Sequence, residues 1–268
     1  MDTPRISASS YSNTAPLIWS FIYGQNHGRV ELILDTAPAR SAELLHTGRV
    51  DAALVPIIAS QSIDDIKIIS DVCVGARERA RSVCIISKEK DLGEIQSISL
   101  DTSSRTSAAL TKIIFREFIG TEPAWTEAKP EPSAMLAASD AALLIGDPAL
   151  VISETGLLPD KTPVRIFDLA TIWRECTGFG FIFAMWMTRN DSVEIDFRAA
   201  RDEGLLHIEE IVSNYLPDIQ ISRDQMRLYL TENIIYQPDE ELLCGMDLYL
   251  RLAEKHKIID APVRLQML

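Results

Sequence analysis

Residues 29–56 read RVELILDTAPARSAELLHTGRVDAALVP and change composition twice along their length. Arg29–Thr36 is rich in branched apolar residues, which predicts a strand. Pro38–Gly48 has a proline near its start and a glycine just past its end, the pattern of a helix. Val50–Pro56 is again strand-like. A strand, a helix and a strand at this spacing are typical of a βαβ unit in a mostly parallel sheet.

Strand-like segments also lie on both sides of this unit. Arg5–Ala8 precedes a polar turn and a predicted helix at Pro16–Tyr23, whereas Ile66–Val74 and Ser82–Ser87 follow the unit as further candidate strands. Together these segments predict one α/β lobe in the first part of the chain.

A second α/β lobe is predicted after a charged interruption at Ser87–Glu94. The apolar alternation restarts at Ser97–Gly120, and Ala141–Asp147 is a strong candidate for a buried strand. Gly180–Arg189 is an apolar run that suits a strand buried on both faces, and it is long enough to return to the first lobe. The second lobe therefore interrupts the first.

The last part of the chain has a different character. Glu194–Tyr215 and Arg223–Lys257 are amphipathic with few strand signals, so we predict a helical tail that packs outside the first sheet. We expect a first lobe at residues 1–88 and 186–268, including the tail, and an inserted second lobe at residues 89–185. Ligands bind such folds in the cleft where strands end and helices begin.

Composition excludes several classes of function. The net charge of −13, with 39 acidic against 26 basic residues, is the opposite of what a nucleic-acid-binding protein shows. No segment approaches the ~20 apolar residues of a membrane helix, and the first residues lack a signal-peptide pattern, so we expect a cytoplasmic protein. The cysteines form no C-x-x-C pair, which argues against a zinc or redox site: Cys73, Cys84, Cys176 and Cys244.

Four polar turns are predicted to face the cleft between the lobes: Ser9–Thr14, Arg81 with Ser82, Thr102–Ser107, and Gly146 with Asp147. Three of these turns belong to longer motifs, and a fourth motif lies at the return to the first lobe: SYSNTAPL at residues 10–17, DTSSRTSAAL at 101–110, AALLIGDPAL at 141–150 and FDLATIWRECTGFGFIFAMW at 167–186.

In these motifs, within about residues 5–190, the chain resembles the chorismate dehydratase family of the futalosine route to menaquinone. The resemblance implies an α/β fold similar to the two-lobed type II periplasmic binding proteins. It also implies removal of water from chorismate, a dianion, to give 3-[(1-carboxyvinyl)oxy]benzoate. The chain departs from the family pattern at Ser12, Ala80 and Gly180, where leucine, valine and proline are usual.

The resemblance and the chemistry of chorismate suggest roles for individual residues. Thr106 and Ser107 lie at a predicted helix start, where hydroxyls and unpaired backbone N–H groups favour a carboxylate. Asn13 is the preferred catalytic residue because its amide can donate to the departing hydroxyl, and Ser82 is a second donor. From the residues alone, Thr106 and Ser107 fit equally well as caps of their own helix. For Asn13 the residues alone favour an ordinary role, either capping the helix at Pro16 or holding a turn.

The resemblance further implies substrate contacts from other members of the motifs: Tyr11, Thr14, Asp147, Thr177 and Gly178. A carboxylate repels a dianion, so Asp147 also fits two other roles: orienting a donor or the turn of the inserted lobe, and capping the helix that Pro148 begins. The four histidines lie outside the motifs, and a carboxylate of the substrate acting as its own base is the hypothesis that fits this pattern. The reaction needs no redox cofactor, and we expect neither a cofactor nor a metal.

Two other functions remain open at this point. A non-catalytic binding protein or ligand sensor is one, because this fold mostly binds ligands without reacting and a fold does not fix a function. The other is the sister enzyme of the same pathway, 1,4-dihydroxy-6-naphthoate synthase, which shares the fold. Its usual opening turn, rich in proline and cysteine, is not seen here.

Overall fold

The computed structural model describes residues 3–88, 91–191, 193–263 and 265–268. The strands in these residues, in chain order, are β1 (Arg5–Ser9), β2 (Glu31–Asp35), β3 (Ala52–Pro56), β4 (Lys67–Ala76), β5 (Val83–Ser87), β6 (Ser97–Asp101), β7 (Ala124–Ala128), β8 (Ala141–Ile145), β9 (Arg165–Asp168), β10 (Phe181–Thr188) and β11 (Gln266–Met267). They form two separate sheets.

The α-helices in the same residues are α1 (Ala15–Ile22), α2 (Pro38–His46), α3 (Ile57–Ser60), α4 (Arg105–Ile113), α5 (Pro132–Ala138), α6 (Gly146–Thr155), α7 (Leu169–Thr177), α8 (Phe197–Leu206), α9 (Ile208–Tyr215), α10 (Arg223–Leu228) and α11 (Glu240–Lys255). Two π-helical segments, Ile114–Ile119 and Tyr229–Asn233, extend α4 and α10. The predicted helical tail corresponds to α8–α11, and that prediction is confirmed.

The first sheet has the strand order β11-β4-β10-β3-β1-β2. Strands β1, β2 and β3 are parallel, with Ile6 opposite both Leu32 and Ala52, as the βαβ pattern predicts. Strand β10 is antiparallel to β3 and β4, and Met185 lies opposite Val55 and Cys73. The sheet is therefore antiparallel at its centre, where β10 enters from the other lobe, and parallel on both sides of it.

The second sheet has the order β7-β6-β8-β5-β9. Its strands β6, β7 and β8 are parallel, whereas β5 is antiparallel to both β8 and β9. The register places Val83 opposite Ile145 and Cys84 opposite Asp168. Strand β5 is buried along its whole length, which matches its position between two neighbours.

This pairing corrects the expected lobe boundaries. We expected the first crossing at residues 88 and 89, of which residue 89 lies outside the described residues, but β5 already belongs to the second sheet, so the crossing lies between Ala76 and Val83. We expected the return at residues 185 and 186, yet all of β10 from Phe181 pairs in the first sheet. The charged interruption misled the prediction because charge marks a surface turn, here a 3₁₀ turn at Leu92–Glu94 capped by Asp91, and not a change of sheet.

Buried aromatic side chains join the lobes to the tail. Trp173 of α7 is fully buried and lies edge-on to Phe181 of β10, to Tyr249 of α11 and to Phe118, with ring centroids 5.5, 6.4 and 6.3 Å away. Its indole N–H donates to the Gly180 carbonyl at 3.2 Å. Helix α11 packs on both β10 and α4, so the tail is part of the core that spans the two lobes.

Candidate active site

A cavity lies between the two lobes. Its apolar wall includes Leu54 and Val74 from the first sheet and Val83 and Ile145 from the second. Its polar lining includes these predicted site residues: Tyr11, Asn13, Thr14, Ser82, Thr106 and Ser107. A largely apolar pocket with a few converging polar groups is the usual form of a small-ligand site.

The opening turn presents Asn13 to this cavity. Ser12–Thr14 forms a 3₁₀ turn between β1 and α1. The Ser9 and Thr14 hydroxyl oxygens are 2.7 Å apart, and the Thr14 hydroxyl donates to the Asn13 side-chain oxygen at 3.2 Å. This contact orients the amide by its oxygen, so its nitrogen is the donor that Asn13 can offer. Helix α1 begins at Ala15 without a side-chain cap, so the capping role considered for Asn13 is wrong.

Ser82 lies at the crossing between the sheets and is fully buried. Its hydroxyl oxygen accepts a hydrogen bond of 2.7 Å from the Tyr229 hydroxyl. Tyr229 belongs to the π-helical segment of the tail and is separated from Ser82 by 147 positions. Sequence reasoning missed Tyr229 because it lies outside every shared motif, and no local pattern links two positions so far apart.

Helix α4 begins at the cavity, with Thr106 and Ser107 in its first turn. No side-chain cap is made at its start, so the interpretation of these hydroxyls as caps of their own helix is wrong. The Thr106 hydroxyl oxygen instead accepts from the Ile58 N–H at 3.3 Å, across the lobes. The first backbone N–H groups of a helix have no partner within it, and together with the cationic Arg105 on the cavity lining they favour an anion here.

Asp147 is not among the residues that line the cavity. Both its carboxylate oxygens accept from the Ser12 N–H at 3.2 Å, and one also accepts from the Ser12 hydroxyl. Ser12 is in the first lobe and Asp147 in the first turn of α6 in the second, where the helix has no side-chain cap. The structure therefore gives Asp147 a link between lobes and not the alternative cap, and its predicted substrate contact stays a prediction. Ser12, a departure from the family pattern, is the partner in that link.

Thr177 and Gly178 also lie outside the cavity lining. The Thr177 hydroxyl donates to the Trp173 carbonyl at 2.7 Å, and Gly178 ends α7 with a φ of 79°. Glycine is favoured there because other residues pay a steric penalty in this left-handed conformation. Both residues terminate a helix, and their predicted substrate contacts stay predictions.

The positive charge of Arg81, the neighbour of Ser82, is paired within the protein. Its side chain is buried, and its Nε donates to a Glu154 carboxylate oxygen at 2.6 Å. The same guanidinium reaches the Asn233 side-chain oxygen at 3.2 Å. The charge of Arg81 is thus neutralised within the protein, and Arg105 is the arginine on the cavity lining.

The other two departures from the family pattern have structural partners. The Ala80 N–H donates to Asp168 at 3.2 Å, and the Gly180 N–H donates to Glu241 at 3.0 Å. A Cβ at Gly180 would lie 2.7 Å from a Leu242 methyl group. A proline at position 180 would both remove the hydrogen bond to Glu241 and create this clash, so the glycine belongs with the packing of α11.

Two titratable groups beside the cavity are shifted by burial. Burial and the nearby Asp101 carboxylate raise the pKa of Tyr11 to about 12, so its hydroxyl remains a neutral donor. Burial also raises the pKa of Asp101 above its ordinary value of 3.8, although the Ser103 N–H and hydroxyl donate to this carboxylate at 2.8 and 2.6 Å. Asp101 was not identified from the sequence, where it reads as the end of a strand.

We expect Asp101→Asn to raise the free energy of unfolding at neutral pH by roughly 1 kcal/mol, since the amide keeps an acceptor for Ser103 and removes a buried charge. Because the folded pKa lies above 3.8, the folded protein binds this proton more tightly, and the charge penalty disappears as pH falls through the folded pKa. Urea unfolding at pH 7 and pH 4 measures the difference. A gain that is equal at both pH values, or a loss at pH 7, would contradict this assignment.

Within the described residues, no cluster of three or more histidine, cysteine, aspartate or glutamate side chains could hold a metal ion. The same part of the chain contains no helix with the length and apolar character needed to cross a bilayer.

Comparison with known protein families assigns the chain to a family. A family model described as menaquinone biosynthesis matches residues 4–255, nearly the whole sequence. The chain belongs to this menaquinone biosynthesis family. Within curated proteins it is similar to the chorismate dehydratase of Thermus thermophilus, with 31% identity over 220 residues that cover 75% of this chain and 77% of that protein.

Solved structures support the fold assignment of this family member. A protein of Archaeoglobus fulgidus superimposes with a TM-score of 0.69 at 14% identity, covering 96% of this chain and 98% of that one. A Candida albicans protein described as having the generic periplasmic binding protein fold gives 0.68 at 12% identity, with 100% and 98% covered. The periplasmic aliphatic sulphonate binding protein of Escherichia coli gives 0.63 at 14% identity, with 99% and 93% covered. The expected two-lobed, periplasmic-binding-protein-like fold is confirmed.

Proposed function

We propose that this member of the menaquinone biosynthesis family is a chorismate dehydratase, a hydro-lyase that converts chorismate to 3-[(1-carboxyvinyl)oxy]benzoate. The observation that carries the proposal is the convergence of Asn13, Ser82 and the start of α4 on one cavity between the lobes. Similarity to the chorismate dehydratase of Thermus thermophilus supports it.

The substrate supplies the driving force of the reaction. Chorismate carries a hydroxyl on a non-aromatic ring and an enolpyruvyl ether on the neighbouring carbon. Breaking the C–O bond to the hydroxyl and the C–H bond on that neighbouring carbon releases one water and leaves an aromatic ring. The reaction needs no external oxidant or reductant. The protein has to hold the dianion, align the two bonds and stabilise the departing oxygen.

Each of these tasks has a candidate group in the cavity. The first-turn N–H groups of α4, the Thr106 and Ser107 hydroxyls and Arg105 form the anion-binding side. Asn13 offers its amide nitrogen and Ser82 its hydroxyl to the departing oxygen. None of the described residues that line the cavity is a histidine. We therefore propose that a carboxylate of the substrate is the base that removes the ring proton.

The apolar walls complete the site. Leu54, Val74, Val83, Ile145 and Phe183 surround the ring with hydrocarbon surface and keep bulk water away from the developing charge. The Ser12 to Asp147 hydrogen bonds hold the lobes together beside the cavity. We infer that the lobes open to admit chorismate and close for the reaction.

The purified protein is expected to consume chorismate and release a product lighter by one water, with the ultraviolet change of a new aromatic ring. Absorbance and mass spectrometry follow the conversion. Binding without product would favour the non-catalytic binding protein. An absence of both binding and turnover would contradict the proposal and leave the sister synthase as the enzyme to test.

A further inference from the structure

The helical tail supplies a buried phenol behind the cavity. Tyr229 is fully buried, and its hydroxyl donates to the Ser82 hydroxyl oxygen at 2.7 Å. Burial raises the pKa of Tyr229 well above its usual value despite the contacts with Ser82 and Asn13. The phenol therefore remains protonated and acts as a donor to Ser82.

This contact determines what the Ser82 hydroxyl can do next. A serine hydroxyl has one hydrogen and two acceptor positions. The Tyr229 donation occupies an acceptor position, so the Ser82 hydrogen must point to another oxygen. In the structure it is directed to the Ala80 carbonyl over 3.4 Å, a long contact that a ligand oxygen at ordinary distance would replace.

The surroundings hold Tyr229 and Ser82 at a fixed separation. Arg81, the neighbour of Ser82, donates to Asn233 at the other end of the π-helical segment that Tyr229 begins. The buried Arg81 side chain is also paired with Glu154 of α6. Arg81 thus joins the crossing to the second lobe and to the tail, at the position next to Ser82. This fixes the π-helical segment and keeps the Tyr229 hydroxyl against Ser82.

We propose that Tyr229 is a positioning residue for the dehydration step, which orients the Ser82 hydroxyl so that its hydrogen is donated to the substrate oxygen. The inference rests on the proposed function, because it assigns part of that reaction to the tail. It gives the tail a role in turnover in addition to its packing.

The test is the chorismate assay with Tyr229→Phe, which removes a single oxygen atom. We expect kcat to fall about tenfold while KM changes less than about threefold, since the phenol acts on the reacting group and not on the anion-binding side. The matched control is Tyr236→Phe, because Tyr236 is buried in the same apolar cluster and its hydroxyl has no hydrogen-bond partner among the described residues. This control is expected to keep the wild-type kcat.

A double substitution separates positioning from a general loss of structure. If Tyr229 acts through Ser82, adding Tyr229→Phe to Ser82→Ala causes no further loss of kcat. A further tenfold loss in that background would overturn the inference, as would a wild-type kcat in Tyr229→Phe. If the wild-type protein does not convert chorismate, the proposed function itself fails. Melting temperatures of all variants accompany the rates.

Discussion

Asn13→Ala is expected to lower kcat for chorismate dehydration about 10²- to 10³-fold, the effect of removing a donor aimed at a developing negative charge. The side chain lines the cavity, and its oxygen accepts from the Thr14 hydroxyl, which leaves the amide nitrogen as the group that can donate. Alanine removes that donor without disturbing a helix cap, because α1 begins at Ala15 with no side-chain cap. Steady-state rates and circular dichroism check the two parts of the prediction.

The matched control for this variant is Asn26→Ala. Asn26 follows the same helix, is also half-buried and donates to Ser20 at 2.8 Å, outside the cavity lining. It should retain the wild-type kcat. Near-normal turnover in Asn13→Ala would remove Asn13 from the mechanism, and a lost circular dichroism signal would show that the residue is structural.

Trp173→Ala is expected to reduce the free energy of unfolding by about 3–5 kcal/mol, the range for deleting a large aromatic side chain from a core. Trp173 is fully buried and contacts rings from β10 and α11 as well as Phe118. The substitution leaves a cavity where the second lobe, the first sheet and the tail meet, and it also leaves the Gly180 carbonyl without the indole donor. Urea unfolding measures the loss.

Trp125→Ala provides the comparison for this loss. Trp125 lies half-buried on β7 at the edge of the second sheet, and its ring is 5.8 Å from Phe115. Its removal exposes a surface that water can fill, so the expected loss is about half that of Trp173→Ala or less. Equal losses in the two variants would mean that Trp173 does not join the lobes and the tail.

Local patterns predicted most of the elements because each depends on residues close in sequence. The βαβ unit at residues 29–56 appears as β2, α2 and β3, and the buried strand predicted at Ala141–Asp147 appears as β8. Local patterns did not predict to which of the two sheets β5 belongs. Its partners β8 and β9 are distant in sequence, and the apolar composition of β5 fits either sheet.

In the candidate site, too, the residues in local motifs were predictable and the contacts between distant residues were not. Residues in turns next to strand ends, such as Asn13 and Thr106, were placed at the cavity by motif and topology. The hydrogen bonds between Asp147 and Ser12 were not predicted, because the two residues lie 135 positions apart and no spacing reveals a contact between lobes. Tyr229 was missed for the same reason, since its hydroxyl matters through a contact with Ser82 and not through a pattern of its own.

The position of β10 has a consequence for synthesis of the chain. This strand fills the gap between β3 and β4, yet it is made only after all strands of the second sheet. A nascent chain can therefore complete the second sheet before β10 is synthesised. During that interval β3 and β4 each have an unpaired hydrogen-bonding edge. Such edges invite pairing with other chains, so the nascent chain is exposed to misassembly until Thr188 has emerged.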